Sequence, residues 1–174
     1  MTPTEAAWLA GFLDGEGSFM VTRSFRKTCA APTYIAVVAA ANTDIRLVER
    51  CKTLAGGCIV GIKSKSDRWK DAYHWTLKGV GVGPVLVEII PYLVSKKRQA
   101  ELLLHLRSLT RIGSPPGRNS TRKTLEEVDQ RTSVYIAVRD LNKRGPRNPT
   151  YAAMSERRIN GDRGALLDLM EAAQ

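Results

Sequence analysis

Apolar and polar positions alternate in a way that predicts a helix and then a strand pair at the start of the chain. Thr2-Pro3-Thr4-Glu5 is a typical helix start, with a threonine cap, a proline in the first turn and a glutamate three residues after the cap. This helix is expected to end near Asp14, where glycines follow. Segments 18–27 and 33–42 are rich in Val, Ile, Phe, Tyr and Thr, which favour strands.

The order of a helix followed by a strand pair repeats once, and the segments after it are predicted to be helices. A second helix is capped by Asp44 and ends at Gly56-Gly57, and segments 58–65 and 72–78 predict a second strand pair. The remaining apolar patterns predict helices at 82–93, 96–111, 124–144 and 164–173. We therefore predict an α+β protein of the order αββαββα, with an antiparallel sheet, helices on one face and extra C-terminal helices. Residues 1–146 form one domain in this interpretation, and 147–174 form an extension.

Composition narrows the class of protein. The chain of 174 residues is 43% hydrophobic and 25% charged, as in globular proteins, and has no run of about 18 apolar residues that could span a membrane. The N-terminus lacks the pattern of a secretory signal. The three cysteines (Cys29, Cys51, Cys58) indicate a reduced compartment. Their spacing, taken with His74 and His105, does not match that of a zinc site. We expect a cytoplasmic or organelle-encoded protein that is not secreted.

The positive charge is concentrated in two blocks. The chain has 27 Lys and Arg against 17 Asp and Glu, a net charge of +10. Residues 17–70 carry ten basic against three acidic side chains, and 94–123 carry eight against one. Because these blocks border the predicted strand pairs, we expect a sheet with one basic face, suited to a nucleic acid.

The first helix carries an unusual stripe of small residues. Ala7, Ala10, Gly11 and Asp14 recur at the spacing of one helix face, while Leu9, Phe12 and Leu13 cover the other faces. Such a stripe allows two helices to approach closely, which predicts a contact between two copies of the chain. The alternative is that the stripe packs beneath another element of the same chain, and the spacing leaves both open.

Glu16 follows this helix and lies between Gly15 and Gly17. If two such helices pack together, two Glu16 carboxylates converge, and like charges that close require a cation or a proton. Oxygen ligands suit Mg²⁺, and a metal-activated water beside a basic sheet points to phosphodiester hydrolysis. The alternative is a solvated acid at a helix end.

The nonapeptide LAGFLDGEG (9–17), followed by Ser18-Phe19, resembles the signature of the LAGLIDADG homing endonucleases. Further segments resemble the family in the same order, and the resemblance covers roughly residues 4–146. These segments are Asn42-Thr43-Asp44, Tyr73-His74-Trp75-Thr76, Pro91-Tyr92-Leu93, Lys96-Lys97-Arg98-Gln99-Ala100 and Leu141-Asn142-Lys143-Arg144-Gly145.

The resemblance implies a saddle of antiparallel strands on duplex DNA, with the signature helices at a subunit interface. One signature copy implies a homodimer that makes a staggered double-strand break at a long pseudo-palindromic site. Mg²⁺ is the implied cofactor, Mn²⁺ is expected to substitute, and Ca²⁺ is expected to bind without supporting cleavage.

The resemblance also implies roles for four residues. Glu16 occupies the position of the metal-binding acid, usually Asp, and the Gly15 carbonyl is adjacent to it. Lys96 matches a basic residue near the scissile phosphate, and Asn42 matches a position, often Gln, that orders solvent around the nucleophile. Without the resemblance, Lys96 is an ordinary surface base and Asn42 a turn residue before a helix.

Strand parity predicts the DNA contacts. In the first strand Thr22, Ser24 and Arg26 form a polar set, whereas Arg23 has the other parity. The second strand is almost wholly apolar, so discrimination there requires contact with thymine methyl groups or DNA shape. The remaining predicted contacts are basic residues in or near the second strand pair and the 96–111 helix: Lys63, Lys65, Arg68, Lys70, His74 and Lys97.

Two other functions fit the same residues. A basic saddle can also bind structured RNA, as in a maturase that assists splicing of its host group I intron. A DNA-binding regulator of the same fold that no longer cleaves is the other alternative.

Overall fold

A computed structural model describes residues 1–25, 31–109 and 125–143. These residues form four antiparallel strands with five helices, which confirms the predicted α+β class. The elements are α1 (Pro3–Glu16), β1 (Gly17–Ser24), β2 (Thr33–Asn42), α2 (Ile45–Ala55), β3 (Cys58–Ile62), β4 (Ala72–Lys78), α3 (Val82–Ile89), α4 (Lys97–Ser108) and α5 (Leu125–Leu141), with 3-10 turns at Gly79–Gly81 and Ile90–Tyr92.

Several boundaries differ from the prediction. α1 runs two residues past Asp14, so Glu16 is its last residue, and the Gly17 N–H caps it on the Leu13 carbonyl. β3 ends at Ile62 because the chain then enters a turn, in which the Ser64 N–H donates to Asp71 Oδ1. The predictions for Arg26 and for 110–124 and 144–174 lie outside the described residues.

The sheet has the strand order β1-β2-β4-β3, so the two hairpins join along β2 and β4. One row of paired residues crosses it: Gly17 pairs with Ala40, Ala40 with Trp75, and Trp75 with Ile59. Trp75 is fully buried, and its Nε1 donates to the Gly56 carbonyl at 2.7 Å. This contact ties the end of α2 to the centre of the sheet.

The helices cover one face of the sheet. The core side chains of that face and of the helices pack in one cluster, which includes Leu9, Leu13, Phe19, Val38, Trp75, Leu77, Leu86 and Leu103. Within the described residues, no helix is both long and apolar enough to cross a bilayer.

On the opposite face, which we call the open face, strands with polar side chains alternate with strands with apolar side chains. Cross-strand pairs place the following side chains on it: Ser18, Met20, Thr22 and Ser24 of β1, Ile35, Val37, Ala39 and Ala41 of β2, His74, Thr76 and Lys78 of β4, and Cys58, Val60 and Ile62 of β3. Hydrogen-bonding side chains are thus concentrated on β1 and β4, whereas β2 and β3 present apolar ones.

Candidate active site and nucleic-acid interface

Glu16 lies at a tight junction between α1 and β1. It is the last residue of the helix, and both it and Gly15 are exposed. A Cβ atom at Gly17 would lie 2.5 Å from the Leu13 carbonyl oxygen, so only glycine allows the strand to begin there. The backbone directly after Glu16 is therefore fixed, while the Glu16 side chain is exposed.

Asp14 connects this junction to the segment before α4. Its Oδ2 accepts the Val94 N–H at 2.6 Å and the Ser95 N–H at 3.3 Å. Its Oδ1 accepts the Lys96 N–H at 2.9 Å and the Ser95 hydroxyl at 3.0 Å. One carboxylate thus satisfies three backbone donors at the start of α4, where an anion is also favoured by the helix dipole.

Lys96 in turn contacts the end of α1 and the start of β1. Its Nζ donates to the Leu13 carbonyl at 2.9 Å and to the Gly17 carbonyl at 2.7 Å, and its side chain is half-buried. The ammonium therefore bridges the backbone on both sides of Glu16 at the negative end of α1. We refer to the contacts of Asp14 and Lys96 as the clamp.

The clamp changes the protonation of Asp14. Burial raises the pKa of its carboxyl, but the hydrogen bonds from Val94, Lys96 and Ser95 outweigh burial and hold the pKa below its usual value of 3.8. The charged form of Asp14 is therefore the one that the folded state stabilises.

This shift predicts a loss of stability in acid. Because the pKa of Asp14 is lower in the folded state, its contribution is complete above the unfolded value of 3.8 and is lost as the pH falls through the folded value. In urea unfolding between pH 6 and pH 3, the parent should lose more free energy of unfolding than Asp14→Asn. Equal losses in the two proteins would contradict the assignment.

Asn42 lies close to the same junction. Ala40 pairs with Gly17, and Asn42 follows two residues later on the same strand. Its Oδ1 accepts the Asp44 N–H at 2.8 Å, a contact that shapes the turn before α2. Asp44 in turn binds Arg46 at 2.6 Å, and this arginine lowers the pKa of Asp44 to about 2.

The structure thus brings the three predicted catalytic residues to one place. Lys96 contacts the backbone beside Glu16, and Asn42 ends the strand that pairs with Gly17. The contacts of Lys96 with carbonyl groups were not predicted, whereas Asn42 supports the turn before α2, as the alternative interpretation of this residue expected.

The oxygen atoms at the junction suit a hard divalent cation. The exposed Glu16 carboxylate and the Gly15 carbonyl, in the last turn of a helix, are oxygen donors at the negative end of a dipole. In the described part of the chain, no three His, Cys, Asp or Glu side chains are grouped for metal binding. The Glu16 and Gly15 oxygens are fewer than the six or more ligands that such an ion takes.

The small-residue stripe on α1 is not a single surface, which corrects the prediction. Ala10 is fully buried against the core, and Asp14 is occupied by the clamp. Ala7 and Gly11 are exposed, as is Gly15, and a Cβ at either glycine would meet nothing within 4 Å in the protomer. The exposed small face of α1 is therefore Ala7, Gly11 and Gly15.

Aromatic side chains border this small face. Trp8 and Phe12 stack with ring centroids 5.5 Å apart, and the Arg50 guanidinium lies 4.5 Å from the Trp8 ring centroid. Both rings are half-buried, so they fix α1 against α2 and leave its small face accessible.

The first strand pair has the predicted orientation. Thr22 and Ser24 are exposed on the open face, whereas Arg23 lies on the helical side over the Tyr135 ring at 5.3 Å. Arg26, predicted as a contact, lies outside the described residues. On β2, Val37 and Ala39 are each only 2% exposed, so these two side chains cannot contact thymine methyl groups as the sequence suggested.

An exposed cationic loop connects β3 to β4 in the second strand pair. Lys63, Lys65, Arg68 and Lys70 are all exposed in it, and Lys97 is exposed at the start of α4. His74 is half-buried on the open face, between Ala41 of β2 and Val60 of β3. The predicted basic contacts in the hairpin therefore share one end of the sheet.

Sequence reasoning assigned no role to two further residues. Trp69 is 78% exposed in the cationic loop, where an aromatic ring among basic side chains was an available signal. Asn142, after α5, donates from Nδ2 to the Phe19 carbonyl at 2.7 Å and anchors that helix to β1. No local pattern in the sequence indicates this long-range contact.

Comparisons with solved structures identify the fold. I-CvuI, a homing endonuclease in complex with its target in the presence of Ca, superposes with a TM-score of 0.69 at 17% identity, covering 96% of this chain and 95% of that chain. The archaeal intron-encoded homing endonuclease I-Vdi141I, complexed with DNA, gives 0.68 at 15% identity, with 95% and 96% covered. Neither the comparison with family models nor that with curated proteins gives a match.

The chain therefore has the fold of the homing endonucleases. I-SmaMI, a LAGLIDADG homing endonuclease bound to cleaved DNA, gives a TM-score of 0.58 at 20% identity over 90% of this chain but only 48% of that one. Together with the nonapeptide at 9–17, this similarity makes the fold that of the LAGLIDADG type.

Proposed function

We propose that this chain is a site-specific DNA endonuclease that acts as a homodimer and cleaves both strands with the help of a divalent metal ion. The observation that carries the proposal is the exposed Glu16 carboxylate at the end of α1, where the clamp binds the adjacent backbone beside the four-stranded sheet. Solved proteins of the same fold are in complex with DNA, which supports the same class of substrate here.

Glu16 and the Gly15 carbonyl are the groups that would hold the metal, with Mg²⁺ as the expected ion. Such an ion lowers the pKa of a bound water and stabilises charge on the phosphate. Glu16 contributes by holding its carboxylate at a defined position, since its backbone is fixed by Gly17 and Lys96. Asn42, at the neighbouring strand end, is the polar group available to order solvent.

Lys96 acts on the reaction through the position of Glu16. In Lys96→Met, the Leu13 and Gly17 carbonyls lose their ammonium donor, so the α1–β1 junction loosens. We expect cleavage to slow by about 100-fold while DNA affinity in Ca²⁺ changes little, because misplacement of a reacting group by about 1 Å costs that much.

The measurement is a single-turnover cleavage rate beside a binding titration. Lys52→Met, on the exposed surface of α2, is the matched control for the loss of one positive charge. If both variants lose cleavage in proportion to binding, Lys96 contributes charge alone and the positioning role is wrong.

The homodimer is supported by a glycine that the protomer does not need. Gly11 is in the middle of α1, where glycine costs about 1 kcal/mol relative to alanine. Its missing Cβ would meet nothing within 4 Å, so its own chain gains no packing from the absence. A second α1 packed closely against this position explains the residue.

Gly11→Ala should therefore stabilise the monomer and weaken the dimer. We expect the unfolding free energy at low protein concentration to rise by about 0.5 to 1 kcal/mol, and the dimer to dissociate about tenfold more readily through overpacking. Sedimentation measures the second effect. Gly83→Ala, at a buried glycine of α3 where an added Cβ would also meet nothing within 4 Å, should leave the dimer unchanged, and equal effects of the two changes would contradict the interface.

The direct test of the proposal begins with selection of a binding site from a random duplex library in Ca²⁺. The selected duplex is then incubated with the chain in Mg²⁺ or in EDTA. Breakage of both strands in Mg²⁺ alone is the expected result. Specific binding without breakage would instead indicate a DNA-binding regulator.

A further inference from the structure

The outer strand of the open face turns aliphatic side chains to solvent. Val60 is 61% exposed and Ile62 is 50% exposed, and both belong to β3 at the edge of the sheet. Their cross-strand neighbours on the same face are His74 and Ala72. We call Val60 and Ile62 the β3 strip.

The surroundings of the β3 strip indicate a polyanionic ligand. β3 leads directly into the cationic loop, whose four basic side chains are exposed and whose Asp71 is occupied by the Ser64 N–H. Lys78 adds a further exposed cation on the same face. An apolar strip bordered by cations complements a DNA groove, in which base edges lie between phosphates and thymine presents an apolar group.

The major groove offers one apolar group for such a strip, the C5-methyl group of thymine. The β2 residues that the sequence suggested for this contact are excluded in part, since Val37 and Ala39 are buried. His74, beside Val60, supplies a hydrogen-bonding group next to the strip.

We propose that Val60 and Ile62 determine specificity by contacting thymine methyl groups in each half-site. The proposal rests on the DNA-binding function proposed above and assigns it a particular chemistry: recognition by methyl contact from β3, in place of hydrogen bonds from that strand.

The test replaces single thymines of the selected duplex by uracil, which removes the methyl group and keeps the pairing edge. For each thymine that the strip contacts, the parent should bind the uracil duplex about fourfold more weakly, the value of one buried carbon. Val60→Ala or Ile62→Ala should lose this penalty at one thymine position in each half-site. Val60→Thr keeps the branched strand-favouring shape and should reduce the penalty, which guards against a folding defect in the alanine variant.

Val87→Ala is the matched control, because Val87 is also 61% exposed but lies on α3. It should retain the full uracil penalty. The inference is overturned if uracil has no effect in the parent, or if the penalty persists in both β3 variants. A β3 variant that alters the oligomeric state and keeps the penalty would assign the strip to a protein contact and also overturn it.

The outcome separates this inference from the function on which it rests. If the library yields a specific site that the parent cleaves, but uracil substitution is neutral, the endonuclease stands and methyl recognition by β3 fails. If the library yields no preferred site, the proposed site-specific function itself fails.

Discussion

Glu16→Gln should abolish DNA cleavage while leaving DNA binding intact. The amide keeps the size of the side chain but removes the negative charge that a divalent cation requires. We expect the single-turnover cleavage rate in Mg²⁺ to fall by about 1,000-fold or more, corresponding to about 4 kcal/mol of transition-state stabilisation. Affinity for the selected duplex should stay within about twofold of the parent, because we expect Glu16 to contact DNA only through the metal.

The matched control is Glu49→Gln, an exposed carboxylate on α2. It should cleave at the parental rate. A Glu16→Gln protein that cleaves as fast as the parent would remove Glu16 from the metal site. A Glu16→Gln protein that unfolds at lower temperature would show a structural role, which its exposed side chain argues against.

Asp14→Ala should destabilise the protein more than any substitution on the exposed surface of α1. It removes a carboxylate that accepts four hydrogen bonds and leaves the backbone N–H groups of Val94 and Lys96 without that acceptor. Hydrogen bonds to charged groups contribute about 1.5 to 3 kcal/mol each and are not additive, so we expect a loss of about 3 kcal/mol. For a chain of this length that loss lowers the midpoint of thermal unfolding by roughly 10 °C.

Calorimetry at neutral pH measures this effect. Asp67→Ala, in the exposed loop between β3 and β4, is the control and should change the unfolding midpoint by less than about 2 °C. If the two alanine variants unfold at the same temperature, the clamp contributes nothing to stability, and the fixed position of Glu16 needs another cause.

Local patterns in the sequence were sufficient to predict where α1 begins. The Thr2 hydroxyl accepts the Glu5 N–H and the Thr2 N–H donates to the Glu5 carboxylate, so both partners of the cap lie within four residues. The end of α1 was predicted two residues early. At this end the local Gly17 cap is joined by the contacts of Asp14 and Lys96, which connect segments about 80 residues apart.

The sequence also could not distinguish residues of similar type that differ in burial in the folded protein. Ala10 and Gly11 are adjacent and both small, yet Ala10 is buried in the core and Gly11 is exposed, because the sheet determines which way α1 is rotated. Val37 and Val60 are both strand valines on the open face. Their exposures of 2% and 61% follow from the strand order, in which β2 is central and β3 is at the edge.

The sequence placed two of the candidate residues near the end of α1, because they belong to one short segment. Glu16 and Gly15 belong to the nonapeptide, and the strand pair after it determines where Asn42 lies. The contacts of Lys96 with the Leu13 and Gly17 carbonyls were not predictable, since no periodicity relates a lysine before α4 to the end of α1.

We propose metal-dependent cleavage of both DNA strands by two copies of this chain. The most direct measurement maps the cut positions on both strands of the selected duplex after incubation in Mg²⁺ and in EDTA. We predict one cut on each strand, staggered and symmetric about the centre of the site, in Mg²⁺ and none in EDTA. A duplex that is bound specifically yet stays intact in both Mg²⁺ and Mn²⁺ would contradict the claim.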